Sequence, residues 1–407
     1  MKTKEHSRGR VITLLGPAFV AAVAYVDPGN VAANITAGAR YSYLLVWVLV
    51  LANAMAVVVQ YQSAKLGLVT GKSLPQLLGD RLPKPVRLGF WGQAEIVAAA
   101  TDLAEVVGGA IALNLLFGLP LFTGGVIVGI VSMVLLVTQG KGRQHVFERI
   151  VIALLVIITI GFVGGLFVAP PSASGILSGL VPRFAGTDTV LVAASMLGAT
   201  VMPHAIYLHS SLVIHRHQGS KHSTERLLRA SKFDVTWALV VAGFVNIALL
   251  LLAASALGGV SGTDTIEGAY GAIAAHLGPV IATIFGIGLL ASGLASTSVG
   301  AYAGSEIMKG LLHIDVPLVW RRLITLIPAL AILWSGVEPT WALVVSQAVL
   351  SFGIPMAIIP LTIYTRNRDL MGKNADGRAL QVVSSLIAVV IVGLNIALLV
   401  LMAMGVD

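Results

Sequence analysis

Cysteine is missing from all 407 residues, and only 11% of them are charged. Without a thiol there are no disulfides, no thiolate metal sites and no sulfur nucleophile. The shortage of charge excludes more. Soluble domains carry ~25% charged residues, whereas 57% of this chain is hydrophobic and its mean hydropathy is +0.92. Such a composition places the chain in a bilayer. Nucleotide chemistry is absent too, because the glycine-rich stretches "GFVGGL" and "GIGLLASGLASTSVGAYAG" have no strand-loop-helix context and read instead as close helix packing. No Ser-His, His-x-x-x-His or paired-aspartate motif lies in an apolar run, so an enzyme is not expected. No cofactor is expected either.

What is present is a series of apolar runs of about 20 residues, the length of a membrane helix. We place spans at 11–38, 43–64, 88–116, 121–138, 150–168, 189–214, 234–257, 276–305, 320–336, 341–364 and 381–404. The runs are too long and too uniformly apolar for barrel strands, which predicts an all-α membrane protein. The basic start "MKTKEHSRGR" followed by an apolar run resembles a signal peptide. It has no small-residue cleavage site and reads as a retained first span.

Charge asymmetry tests this list independently of hydropathy. With the N-terminus in the cytoplasm, 24 of the 26 Lys and Arg residues fall on that side, and only Arg40 and Arg183 fall on the other. The reading is eleven spans with the C-terminus outside the cytoplasm. The net charge of +8 then reports topology, and its dispersal over separate loops gives no support to nucleic-acid binding.

Two spans contain helix breakers beside polar groups: "DPGN" at Asp27–Asn30 and "GATVMPHAIYLH" with Pro203 between Met202 and His204. Proline removes a helical hydrogen bond and glycine permits unusual dihedrals, so both helices should unwind there and free carbonyls to act as ligands. The breaks lie in spans 1 and 6. An odd separation reverses direction, which is the pattern of inverted repeats, spans 1–5 (about 11–168) and 6–10 (about 189–364), with a substrate at midplane and span 11 added. The whole chain forms one transmembrane domain. A carboxylate inside a span is a functional-site hypothesis in itself. Asp27 and Asn30 offer oxygen donors to almost any cation, but the thioether of Met202 is soft and unsuited to Mg²⁺ or Ca²⁺, which points to a transition metal.

These paired motifs, the eleven spans and the charge pattern resemble the natural resistance-associated macrophage protein (Nramp) family, especially its bacterial manganese transporters. The resemblance runs over essentially the whole chain. It implies a LeuT-like fold and proton-linked import of Mn²⁺ or Fe²⁺ across the plasma membrane. It also implies a metal site of Asp27, Asn30 and Met202, helped by the carbonyls of Ala24 and Ala199, with Gln347 of "VVSQAVLSFGIP" in support. A related branch that carries Mg²⁺ lacks the methionine.

In span 3, "AEIVAAATDLAEVVGG" spaces Glu95, Asp102 and Glu105 so that all three share one helical face. Three acids cannot face lipid. They either exchange protons or pair with Arg321 and Arg322 at the start of span 9, and a pairing is expected for at least one. The resemblance implies a proton route from Asp27 through Asp102, then Glu105 with the two arginines, and His204 beside the metal. His215, His217 and His222 read as a solvated loop, and Asn53, Asn114, Asn246 and Asn395 as interhelical hydrogen-bonders. The rival readings are a sodium- or proton-coupled carrier of an organic solute, which Asp27 would repel if it carried a carboxylate, and a channel or metal sensor. With no ATP-binding loop, an ion gradient should supply the energy.

Overall fold

The structure, a computed structural model, describes residues 16–137, 144–260, 262–263 and 265–403. Lys2, Lys4, Arg8 and Arg10 of the N-terminal tail, Lys141 and Arg143 of one loop, and the outer ends of the first and last expected spans lie outside the described residues. Every regular element among those described is helical, and besides short turns such as Arg368–Met371 they are α1 Pro17–Val23, α2 Pro28–Tyr41, α3 Val46–Thr70, α4 Leu74–Arg81, α5 Lys84–Phe117, α6 Leu121–Val137, α7 Gln144–Val163, α8 Ala173–Gly179, α9 Thr187–Thr200, α10 Pro203–His217, α11 Thr224–Ala256, α12 Ile266–Leu277, α13 Pro279–Leu312, α14 Leu318–Ser335, α15 Pro339–Arg366 and α16 Arg378–Ala403.

Nine helices among the described residues are long and apolar enough to cross a membrane, α9 and α10 being taken together as one. Expected spans 1 and 4 appear instead as the shorter apolar helices Pro17–Val26 and Leu121–Val137. The first is cut short at Asp27, where the backbone leaves helical dihedrals (φ −69°, ψ 167°).

Several helices outrun the hydropathy boundaries. Both α5 and α13 have 34 residues, or roughly 51 Å at 1.5 Å per residue, against a hydrocarbon core of about 30 Å. Their ends therefore project into the aqueous layers, where charged residues end the apolar pattern without ending the helix. Segments expected as loops also hold α4, α8 and α12. The start of α4 was readable as a capping box, with the Ser73 side chain accepting from the Gln76 backbone and Gln76 reaching back, around Pro75, which suits a first turn.

Helices α5 and α13 cross at the centre on glycine. A Cβ built on Gly293 would stand 2.9 Å from the Gly109 Cα and 3.1 Å from the Glu105 carbonyl, so the two backbones touch. Small residues are what permit such contacts in membranes, where apolar burial does not drive helices together.

At one edge, α16 is held by a buried ion pair. Lys65 of α3 meets Asp376, in the turn before α16, at 2.7 Å, and Gln62 donates to the other carboxylate oxygen at 2.7 Å. Both charged side chains are almost wholly enclosed. Removing one partner leaves a buried charge uncompensated, at a cost of about 3–5 kcal/mol. Asp376→Ala should therefore lower the thermal unfolding midpoint of the purified protein sharply, and Lys65→Met in the same chain should recover most of the loss. An unchanged midpoint for the single variant would mean that the pair does not anchor α16.

Candidate metal centre

Asp27 and Pro28 end one helix and begin another. After α1 the chain tightens into a 3-10 turn at Ala24–Val26, extends at Asp27, and restarts with Pro28 in the first position of α2. Proline is suited to that position because its missing N–H would have no helical partner there. The Asp27 carboxylate caps the new helix by accepting from the Asn30 backbone N–H at 2.9 Å. The second interruption has the same plan. Helix α9 ends at Thr200, Val201 and Met202 leave helical dihedrals, and Pro203 opens α10.

Each proline strips one carbonyl of its donor. In a continuous helix the N–H of residue i+4 bonds the carbonyl of residue i. Four residues before Pro28 is Ala24, and four before Pro203 is Ala199. The two carbonyls that face this deficit are thus set by arithmetic along the chain. Neighbouring carbonyls in the first break are satisfied from other helices: Asn246 Nδ2 donates to the Tyr25 carbonyl at 2.7 Å, and the Ser292 hydroxyl donates to the Val26 carbonyl at 2.6 Å. Asn34 in turn donates to Asn246 at 2.9 Å.

One side chain joins the breaks. The Asn30 amide nitrogen donates to Asp27 Oδ1 at 2.6 Å and to the Ala199 carbonyl at 2.9 Å, with all three residues buried. Among the described residues Asp27 Oδ2 and Asn30 Oδ1 have no hydrogen-bond partner. Met202 is fully buried in the same core cluster as Ala24 and Val26. Gln347 lies against Gly29, so close that a Cβ there would meet its amide, and the same Cβ would stand 3.3 Å from Asp27 Oδ2. Each proline also seats on a glycine of another helix, with the missing Cβ of Gly108 facing Pro28 and that of Gly353 facing Pro203. His204 is buried, with neither ring nitrogen hydrogen-bonded.

This is a sparse donor set. Among the described residues no three His, Asp or Glu side chains converge. What converges instead is one carboxylate, one amide and one backbone carbonyl, with a thioether three residues along the chain from that carbonyl. A hydrogen-bond donor between Asp27 and Ala199 does what a cation would do, which is to bring two oxygens together. Turning the Asn30 amide by 180° would present Oδ1 in its place.

The acids of α5 divide. Arg321 grips Glu95 with contacts of 2.9 and 3.0 Å, and Trp91 adds a donor to Glu95 at 3.1 Å. Arg322, fully buried, meets Asp102 at 2.9 Å and donates to Ser132 at 3.0 Å and Thr297 at 2.7 Å. Two pairings form where at least one was expected. Glu105 is bound by neither arginine. It is wholly buried, and its carboxylate lies where a Cβ on Gly300 would come within 2.9 Å. Its electrostatic neighbours include Asp27, Asp102 and Arg322.

Several supporting residues were not singled out from the sequence, His209, expected to hydrogen-bond inside the bundle, being an exception. Ser292 lies in a stretch read only as packing. A buried line runs from Tyr25 through Gln60 to His209, with contacts of 2.7 and 2.8 Å. Asp234 of α11 accepts from the backbone N–H groups of Gly16 and Ala18 at 3.0–3.2 Å and so caps the start of α1. An aspartate in the first turns of an apolar run was the available signal. Asn246, expected as an interhelical hydrogen-bonder, fills that role.

The profile of the Nramp family, "Natural resistance-associated macrophage protein-like", matches residues 18–401. The "Divalent metal cation transporter MntH" of Mycobacterium tuberculosis is 56% identical over 394 residues, which cover 96% of this chain and 92% of that protein. The protein of the same name from Bacillus subtilis is 46% identical, with the same coverage of both chains. Among solved structures, the Eremococcus coleocola manganese transporter in complex with an aromatic bis-isothiourea substituted compound superposes with a TM-score of 0.88 at 29% identity. That match covers 98% of this chain and 88% of the other.

The side chains that satisfy the first break set its stability. Asn246→Ala removes the donor to Tyr25 and strands Asn34, and an unsatisfied buried group costs about 1–3 kcal/mol. Thermal unfolding should show a larger loss for Asn246→Ala than for Ser292→Ala, which removes a single bond. Equal midpoints for both variants and the parent would show that the break needs neither.

Proposed function

Since the chain belongs to the Nramp family, we propose that it imports divalent transition-metal ions, Mn²⁺ and also Fe²⁺, together with protons by alternating access. The observation that carries this reading is the Asn30 amide held between Asp27 and the Ala199 carbonyl. In the loaded state a metal ion takes the place of that donor. Its ligands are Asp27, the oxygen of a rotated Asn30, Met202, and the Ala24 and Ala199 carbonyls as each half-helix moves, with Gln347 beside Asp27. Carbonyl ends of interrupted helices are suited to cations in this way. One carboxylate and a neutral thioether hold a divalent ion weakly enough to release it, and the soft donor discriminates against Mg²⁺ and Ca²⁺.

Eleven spans form the transporter, with an inverted pair of five-span repeats and the N-terminus in the cytoplasm of a bacterial cell. Asp27 is the proton acceptor. The order along α5 puts Glu105 nearest the first break, because Gly108 one turn on seats Pro28. The route then passes from Asp27 to Glu105, to Asp102 with Arg322, and out by Glu95 with Arg321. Glu105 and Asp102 thereby exchange the order expected from sequence. His204 adjusts the equilibrium from the side.

Uptake into proteoliposomes tests the reading. Mn²⁺ should enter against excess Mg²⁺ or Ca²⁺ and acidify the lumen. No Mn²⁺ entry, or equal entry of Mg²⁺, would contradict the assignment. Asp27→Ala should abolish uptake and the accompanying acidification. Met202→Ala should narrow discrimination against Ca²⁺ by about tenfold, the order of one contact of ~1.4 kcal/mol, while leaving Mn²⁺ uptake measurable. Glu105→Gln and Asp102→Asn should slow proton entry while Mn²⁺ binding persists, and unaltered acidification in both would remove α5 from the route.

A further inference from the structure

Away from the metal centre, α3, α9 and α16 border an open apolar cavity of about 350 Å³, within the ~300–1,000 Å³ range of ligand pockets. Its walls include Trp47, Phe184, Ala193, Leu197, Val390 and Gly393. We propose that it holds one acyl chain of an anionic phospholipid whose phosphate is met by Arg183.

Four observations favour that occupant. The cavity opens among lipid-facing side chains, for Leu51 and Val389 line it and are 40% and 69% exposed. Its rim carries the Trp47 and Phe184 rings, edge to face at 5.4 Å, and aromatic rings are enriched at headgroup level. Among the described residues the buried Trp47 indole N–H has no hydrogen-bond partner, which an ester carbonyl below a headgroup supplies. Arg183, exposed and adjacent in sequence to Phe184, is one of only two basic residues that the charge count leaves on its side of the membrane. A cation kept against that asymmetry beside an apolar cavity matches a lipid phosphate above a buried chain. The site also bears on the rest of the molecule: Leu197, on its wall, is two residues from Ala199, whose carbonyl receives Asn30. Helix α9 therefore lies between the chain and the metal centre.

Gly393 gives a clean perturbation, because a Cβ added there meets no atom within 4 Å. The full-length protein would be placed in phosphatidylcholine vesicles carrying a small fraction of phosphatidylglycerol with a diazirine on its acyl chain. After photolysis, adducts are mapped by peptide mass spectrometry. Adducts should fall on segments 47–51, 193–197 and 389–394, fade in Gly393→Leu and vanish in Gly393→Phe. Arg183→Gln should lower them about fivefold, as expected for one lost phosphate contact. Thermal unfolding of the Gly393 variants should match or exceed the parent, since glycine is a poor helix former. Unchanged labelling in Gly393→Phe, or in Arg183→Gln, would overturn the proposal.

Discussion

A carbonyl that loses its helical donor inside a membrane must find another partner, because no bulk water is there to supply one. Pro28 and Pro203 impose that condition on Ala24 and Ala199. Asn30 answers it at Ala199, and the carbonyls beside Ala24, those of Tyr25 and Val26, are met from other helices. Asn246 and Ser292 approach the first break from α11 and α13, while Asn30 crosses from the first break to the second. Glycines at 108 and 353 let two further helices close over the prolines. The polar groups at this depth are therefore mutually dependent. They also leave oxygens facing one another across a space that a hydrogen-bond donor occupies and that, in the proposed function, a cation takes over.

The charges on α5 obey a related rule. A buried arginine is tolerated when it is paired, and Arg322 is paired with Asp102 and donates to Ser132 and Thr297. Arg321 is paired with Glu95 nearer the end of the helix. Glu105 has no such cation of its own, though it is the acid closest to the first break. Asp102 and Glu95 each meet an arginine, whereas Glu105, nearest the break, meets neither. That contrast within one helical face is the physical ground for placing Glu105 first in the proton route.

Much of this was legible in the sequence for concrete reasons. Apolar runs of membrane length, two proline motifs five spans apart and 24 of 26 lysines and arginines in alternate loops each report a strong constraint. The weakness lay in what hydropathy does not register. The amphipathic ends of α5 and α13, and the short capped helix α4, carry charge and so read as loops. The partners of the first break were hidden more deeply, because a serine such as Ser292 in a small-residue stretch looks the same whether it packs or donates. The two carbonyls of Ala24 and Ala199, by contrast, came from the resemblance, and each stands four residues before a proline. The role of Gly29 was invisible until Gln347 was found lying against it.

The central claim is that the two breaks together hold a transition metal with one sulfur among its ligands. X-ray absorption at the manganese edge, on the purified protein loaded with Mn²⁺, tests this most directly. The account predicts a first shell of oxygens with one sulfur scatterer that disappears in Met202→Ala. A shell made only of oxygen in the parent protein, indistinguishable from that of the variant, would contradict it.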